Sequence, residues 1–259
     1  MVSAIRRRAP GLLLLGLLAL AWEGASQVRL VDPFFLPSLS KVMARLLAQL
    51  ADGRLVIAVG SSLLRGVVGY ALAASLGVVL GAIAGRHVSL YYLIEPLVEL
   101  LRPLPAPAIL PVAILFLGID SAMKVFVIAF ACFFPILLNT IEGVRGVPPA
   151  LIETALNLGV GRFRLFTGVL LPAASPAIFT GLRVAISLML ILVVVSEMVA
   201  GNSGIGFLIL DAERSFRVAD MYAYIATLAA LGYLLNRAFI AVDQRVLGWY
   251  HRMNRLAPR

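Results

Sequence analysis

VIAVGSSLLRGVVGYALAASLGVVLGAIA, from Val56 to Ala84, is the stretch whose reading decides the fold. It is an unbroken apolar run, longer than the roughly 20 residues a helix needs to cross a bilayer. A membrane β-barrel strand would instead alternate apolar and polar residues over about ten positions. A lone ionisable group, Arg65, interrupts the run. Gly66, Gly69, Ala73, Ala74, Gly77 and Gly81 recur at spacings that let helices approach closely in lipid, so helix packing is the expected role of this segment.

Working outward, five more apolar runs appear: Ala9 to Ala25, Tyr91 to Leu117, Ala122 to Ile141, Pro172 to Val199 and Met221 to Val242. The first follows Arg6, Arg7 and Arg8 and has the outline of a secretory signal peptide, but Glu23 and Gly24 spoil the cleavage site. It is read as an uncleaved span. The composition agrees across the 259 residues: 61% are hydrophobic and 14% charged, with a mean hydropathy of +1.00. Soluble domains carry about 25% charged residues, so a soluble globule is excluded, and so is disorder. The fold class expected is all-α, a polytopic membrane protein of about six transmembrane helices. The single cysteine, Cys132, lies inside an apolar run and reads as a small packed side chain.

The net charge is +9, from 22 Lys plus Arg against 13 Asp plus Glu. Those basic residues flank apolar runs, which fits anionic lipid better than nucleic acid. Six spans place both termini on one side, and the bias of basic residues toward the termini makes that side cytoplasmic. Two segments that do not span have helical periodicity. Ser38 to Leu50 sets Val42, Leu46, Leu47 and Leu50 on one face, with Ser38 or Ser40 as a cap, and reads as an interfacial helix on the outer surface. Pro148 to Phe166 starts with two prolines, sets Leu151, Ala155 and Leu158 on one face, and ends or turns near Gly159 and Gly161. The chain divides into a first span with its basic start (1–27), an outer interfacial region (28–55), a membrane core (56–247) with a cytoplasmic loop (144–171), and a basic tail (248–259).

Several chemistries are absent. A Walker A loop needs Gly-Lys-Ser/Thr, and the two lysines, Lys41 and Lys124, follow Ser40 and Met123. The chain is therefore not expected to hydrolyse ATP or to be an enzyme, and it needs no cofactor of its own. His87 and His251 are far apart, with no zinc spacing around them. Paired carboxylates or histidines on facing spans, as a membrane-embedded enzyme would need, are not found. An ion-driven carrier would show inverted repeats, and none is convincing.

Ionisable groups inside spans cost roughly 2.5–3.5 kcal/mol on insertion scales. Arg65, Arg183 and Glu197 are such groups. They are either partners in helix–helix salt bridges or the lining of an aqueous path in which the arginines attract an anion. Arg102-Pro103-Leu104-Pro105-Ala106-Pro107 interrupts the third run and removes several backbone donors near the inner end of that span. It is either a bend or gate, or an inner loop from which a helix starts at Ala106.

The loop between the fourth and fifth runs carries Glu153-Thr154-Ala155, then Leu158-Gly159, then Val169-Leu170-Leu171-Pro172. This resembles the EAA loop of ABC importer permeases: Glu-Ala-Ala, three residues, Gly, nine residues, Ile-x-Leu-Pro. The spacing fits throughout, with Thr154 in place of the middle Ala and Val169 in place of Ile. Arg102-Pro103-Leu104-Pro105, Gly181-Leu182-Arg183, Glu197 and Asn202-Ser203-Gly204-Ile205-Gly206 look like the sulfonate, taurine and nitrate permease subfamily. The likeness runs from about Leu36 to Leu247. It implies a MetI-like permease fold in a bacterial inner membrane, working as a twofold homodimer. It also implies separate ABC ATPase subunits that hold ATP-Mg, and a periplasmic or lipid-anchored substrate-binding protein. Glu153, Thr154, Ala155, Leu158, Gly159, Leu171 and Pro172 would form the ATPase-coupling loop. Arg65, Arg102, Pro103, Pro105, Arg183 and Glu197 are the candidates for the translocation pathway. The implied cargo is a small organic anion such as an alkanesulfonate or taurine, with nitrate-like anions or a vitamin precursor as alternatives.

Overall fold

The computed structural model describes residues 2–256. Among them every regular element is helical. In chain order these are α1 (Val2–Gln27), α2 (Leu39–Ala51), α3 (Arg54–Arg86), α4 (Val88–Leu101), α5 (Ala106–Leu117), α6 (Ser121–Arg145), α7 (Pro149–Asn157) and α8 (Arg162–Leu165). A π-helical turn (Phe166–Leu170) follows, then α9 (Leu171–Ala200), α10 (Ile205–Arg214), α11 (Val218–Val246) and α12 (Gly248–Leu256). The basic anchors Arg6, Arg7, Arg8, Arg255 and Arg259 lie outside the residues whose side chains are described.

Among the described residues, α3, α6, the continuous helix 162–200 and α11 are long and apolar enough to cross a membrane. The apolar part of α1, Leu13–Gln27, is shorter. The expected third span is broken: α4 and α5 meet at 96°. Pro103 and Pro105 cannot donate to the preceding turn, so α4 ends and a new helix starts at Ala106, with Pro107 in its first turn. The run Tyr91 to Leu117 is thus not one straight helix. With 12 residues, α5 alone reaches about 18 Å, short of the roughly 30 Å of hydrocarbon.

The core is the packing of α6 against both α3 and α9, which also touch each other directly. The small residues of α3 do the work expected of them. A Cβ on Gly69 would lie 2.8 Å from Ile128, on Gly77 2.9 Å from Ile136, on Gly81 2.7 Å from Thr140, and on Gly85 2.8 Å from Val144. Both stripes advance by about four residues, so β-branched side chains of α6 fit a groove of glycines on α3. Where α6 meets α9, a Cβ on Gly181 would sit 2.8 Å from the Pro135 carbonyl oxygen. Cys132 is fully buried between the two contacts and its thiol donates to the Ala185 carbonyl at 3.3 Å.

α2 is capped by Ser38, whose hydroxyl accepts from the Lys41 N–H at 3.3 Å. It buries Val42 and partly buries Leu46 against α3, α10 and α11. Leu47 and Leu50, expected on that same face, point outward. Trp22 and Ser26 of α1 donate to the Pro37 and Leu36 carbonyls at 3.0 and 2.8 Å, which ties the end of α1 to the turn before α2. One end of the bundle is therefore covered by α2 and α10, and the opposite end carries α7 and α12.

Candidate functional site

At the α7 end, the loop between α6 and α9 is short and stiff. Pro148 is the N-cap and Pro149 opens the helix, because its fixed φ suits a first turn that needs no N–H. The helix closes with the Gly159 N–H on the Leu156 carbonyl at 2.9 Å and the Val160 N–H on the Ala155 carbonyl at 3.0 Å. This is a Schellman turn, and Gly159 sits in its left-handed position at φ +74°. Thr154 returns its hydroxyl to the Ala150 carbonyl at 2.7 Å, so it adds no polar edge to the helix surface. Ala155 is buried, while Glu153 is exposed and Leu151, Leu156, Leu158 (77% exposed) and Phe163 (78%) are left uncovered. The face expected from Leu151, Ala155 and Leu158 thus packs inward through Ala155 alone.

The fifth span begins earlier than expected. It starts at Arg162 and continues to Ala200, passing Leu171 and Pro172 without a break. Pro172 has no N–H and its ring would crowd the carbonyl four residues back. The chain widens to accommodate it: the Leu171 N–H bonds to the Phe166 carbonyl, five residues back. A π turn of this kind is a single-turn distortion often found at functional sites.

At the α2 end, Glu197 is fully buried and accepts from Ser62 at 2.8 and 2.9 Å, from Arg65 at 2.7 Å and from the Gly206 N–H at 3.1 Å. Ser62 in turn accepts the Ile205 N–H at 2.9 Å. Arg65 also donates to the Ser203 carbonyl and hydroxyl at 3.1 and 2.7 Å, and to Ser121 at 3.1 Å. The pair therefore laces α3, α6 and α9 to the turn 201–206. That turn must be glycine-rich, since a Cβ on Gly204 (φ +107°) would lie 2.2 Å from the Glu197 carboxyl. Arg65 and Glu197 thus neutralise each other. Lys124, 1% exposed, is buried near the same pair.

Arg183 and Arg102 lie elsewhere. Arg183 lines a cavity of about 610 Å³ between α6, α9, α11 and α12, together with Glu142, Thr180 and Asp243. Arg102 lines a second cavity of about 470 Å³ beside the α4–α5 bend, with Phe134, Asn139 and Leu192. Pro103 and Pro105 shape that bend. Glu142 lines both cavities. Ser62, Lys124 and Glu142 have no functional reading in the sequence, and Ser203 enters there only within the Asn202-to-Gly206 stretch. Ser62 precedes Arg65 by three residues, the spacing of one helix face, which is the signal that could have found it.

Residues 77–248 match the family model for the binding-protein-dependent transport system inner membrane component. The chain belongs to this family. Within it, the permease is 34% identical to the aliphatic sulfonates transport permease SsuC of Escherichia coli, over 95% of this chain and 94% of that one. It is 35% identical to the nitrate import permease NrtB of Leptolyngbya laminosa, over 73% and 68% of the two chains. The sulfonate, taurine and nitrate group of ABC permeases is therefore its place. A solved inward-facing structure of the MetNI methionine ABC transporter aligns with a TM-score of 0.64 at 19% identity, over 74% of this permease and 96% of that chain. That likeness establishes the MetI-like fold. As members of this family are, the permease is a multi-pass membrane component of a transport system.

Proposed function

We propose that the chain is the membrane half-pathway of an ATP-driven importer of small organic anions, alkanesulfonates or taurine first among them. The observation that carries this reading is α7: a rigid helix between two spans, closed by a Schellman turn, with Leu151, Leu156, Leu158 and Phe163 uncovered. An apolar helix surface held this stiffly suits docking into a groove on a separate ATPase, which would hold ATP and magnesium. Closure of two ATPases would then move α7 as a rigid body, and the continuous helix 162–200 would carry that motion to Glu197 at the far end. A homodimer would bring two copies of the Arg102 and Arg183 cavities together into one path. A binding protein would deliver the cargo at the α2 end, which makes that end external and both termini cytoplasmic.

The sulfonate assignment draws on the likeness to SsuC over nearly the whole chain. The likeness to NrtB supports nitrate-like anions as the second reading. The test is reconstitution of the permease with its ATPase and binding protein in proteoliposomes, followed by uptake of labelled taurine, ethanesulfonate and nitrate. Glu153→Lys and Gly159→Trp are expected to lower ATP-driven uptake at least tenfold and to reduce co-purification of the ATPase, with membrane insertion unchanged. The space around Gly159 is open, so the tryptophan acts through the left-handed backbone it cannot readily adopt. Wild-type uptake in both variants would overturn the coupling role of α7.

A further inference from the structure

A third cavity, of about 480 Å³, opens at the α2 end between the turn before α2, α2 itself and the first turn of α11. It is lined by Lys41, Arg45 and Arg217 against one carboxylate, Asp220. Arg217 is already committed to Asp211 and Asp220. Arg45 approaches Asp220 at 3.7 Å while its side chain stays 59% exposed. Among the described residues no carboxylate lies within ion-pair distance of Lys41. Asp220 is 9% exposed, and its Oδ1 has no hydrogen-bond partner. The cavity therefore has a cationic surplus at its mouth, where Lys41 and Arg45 are exposed, and the ion-paired Asp220 carboxylate at its floor.

Two aromatic rings, Phe34 and Phe216, belong to the same cavity, with centroids 6.3 Å apart. Phe216 is 74% exposed and has φ +55°. It is the left-handed residue of the turn that ends α10: its N–H bonds to the Glu213 carbonyl at 3.0 Å, and the Arg217 N–H to the Ala212 carbonyl at 2.8 Å. Glycine is the favoured residue there, and a phenylalanine is strained. Strain of this kind points to a role for the side chain, and here the role is not core packing, because the ring is outside.

We propose that this cavity seats the phosphate of a phospholipid headgroup, with Lys41 and Arg45 taking the phosphate oxygens and Phe34 and Phe216 flanking the glycerol. The depth is right: the cavity lies at the first turn of α11, a membrane-crossing helix, where headgroups begin. Basic side chains close to a bilayer surface are drawn to anionic headgroups, and exposed apolar rings beside them suit contact with lipid. A free anion in water would find the cations but would have no use for the two rings.

The test uses the full-length permease in detergent, titrated with phosphatidylglycerol, with diacylglycerol of the same chains, and with inorganic phosphate, read by native mass spectrometry. Phosphatidylglycerol is expected to bind more tightly than either of the others. Each basic residue near a charged headgroup is worth about fivefold, so Lys41→Gln with Arg45→Gln is expected to weaken phosphatidylglycerol binding about 25-fold. Phe216→Gly relieves the backbone, so its melting temperature should hold or rise while lipid binding falls, which a purely structural ring would not produce. Equal binding of phosphatidylglycerol and diacylglycerol, or unchanged affinity in the double variant, would overturn the site. Phosphate binding as tight as phosphatidylglycerol would overturn the lipid assignment in favour of a free anion.

Discussion

Glu197 shows how much one side chain can hold. Its carboxylate gathers a serine and an arginine from α3 and a backbone N–H from the start of α10. Removing one partner of a buried pair leaves the other uncompensated and costs about 3–5 kcal/mol. Glu197→Ala is therefore expected to lower the melting temperature of the purified permease sharply. Adding Arg65→Met to that variant should recover part of the loss, because the stranded charge goes with it. Additive losses in the double variant would show that the two residues act separately. The sequence marked both residues as ionisable groups in apolar runs but did not pair them, since they stand far apart in the chain and only the packing of α3 against α9 joins them. Glu142 escaped attention for a different reason: at the end of a span a carboxylate looks like an ordinary solvated group, and only the fold turns it toward two cavities.

At the scale of elements, what the sequence conveyed was the small side of each contact. The glycines of α3 announced a groove. The Ile128, Ile136, Thr140 and Val144 stripe that fills it was invisible, because β-branched residues in an apolar run look alike on every face. Gly81→Val is expected to cost about 1–3 kcal/mol by overpacking, since its Cβ would meet the Leu137 carbonyl oxygen at 2.8 Å as well as Thr140. Gly60→Val on the same helix, with open space around it, should leave the stability within about 0.5 kcal/mol of the parent. The break between α4 and α5 was legible as a cluster of prolines, but its 96° angle was not. Local chemistry says where a helix must stop, and only tertiary packing says where the next one goes. The same limit explains the misplaced start of the fifth span. Pro172 is a conventional helix opener, and nothing local reveals that the preceding residues stay helical by widening one turn.

For the whole molecule, the two covered ends differ in kind. The α2 end is laced by buried polar bonds through Glu197, while the α7 end presents uncovered apolar side chains on a stiff helix. With the α7 end cytoplasmic, a fluorescent protein fused after Arg259 should fluoresce and alkaline phosphatase fused there should be inactive; the reverse pattern would invert the arrangement. Six runs read as crossings, whereas among the described residues four helices are long and apolar enough, five with the bent α4–α5 pair taken as one, and the apolar part of α1 is shorter. The α4–α5 pair is where the count is least simple, because half a crossing looks the same as a whole one in composition. The π turn at Phe166–Leu170 has a geometric consequence. Each helical residue advances the chain by about 100°, and the widened turn absorbs one extra residue. It therefore acts as an angular offset between α7 and α9. The spacing from Gly159 to Pro172 is then a setting of phase: it decides which face of the long helix looks into the bundle when α7 is fixed from below. Side chains in between can vary in chemistry without disturbing that alignment, whereas the gain or loss of one residue would rotate one end of the span against the other.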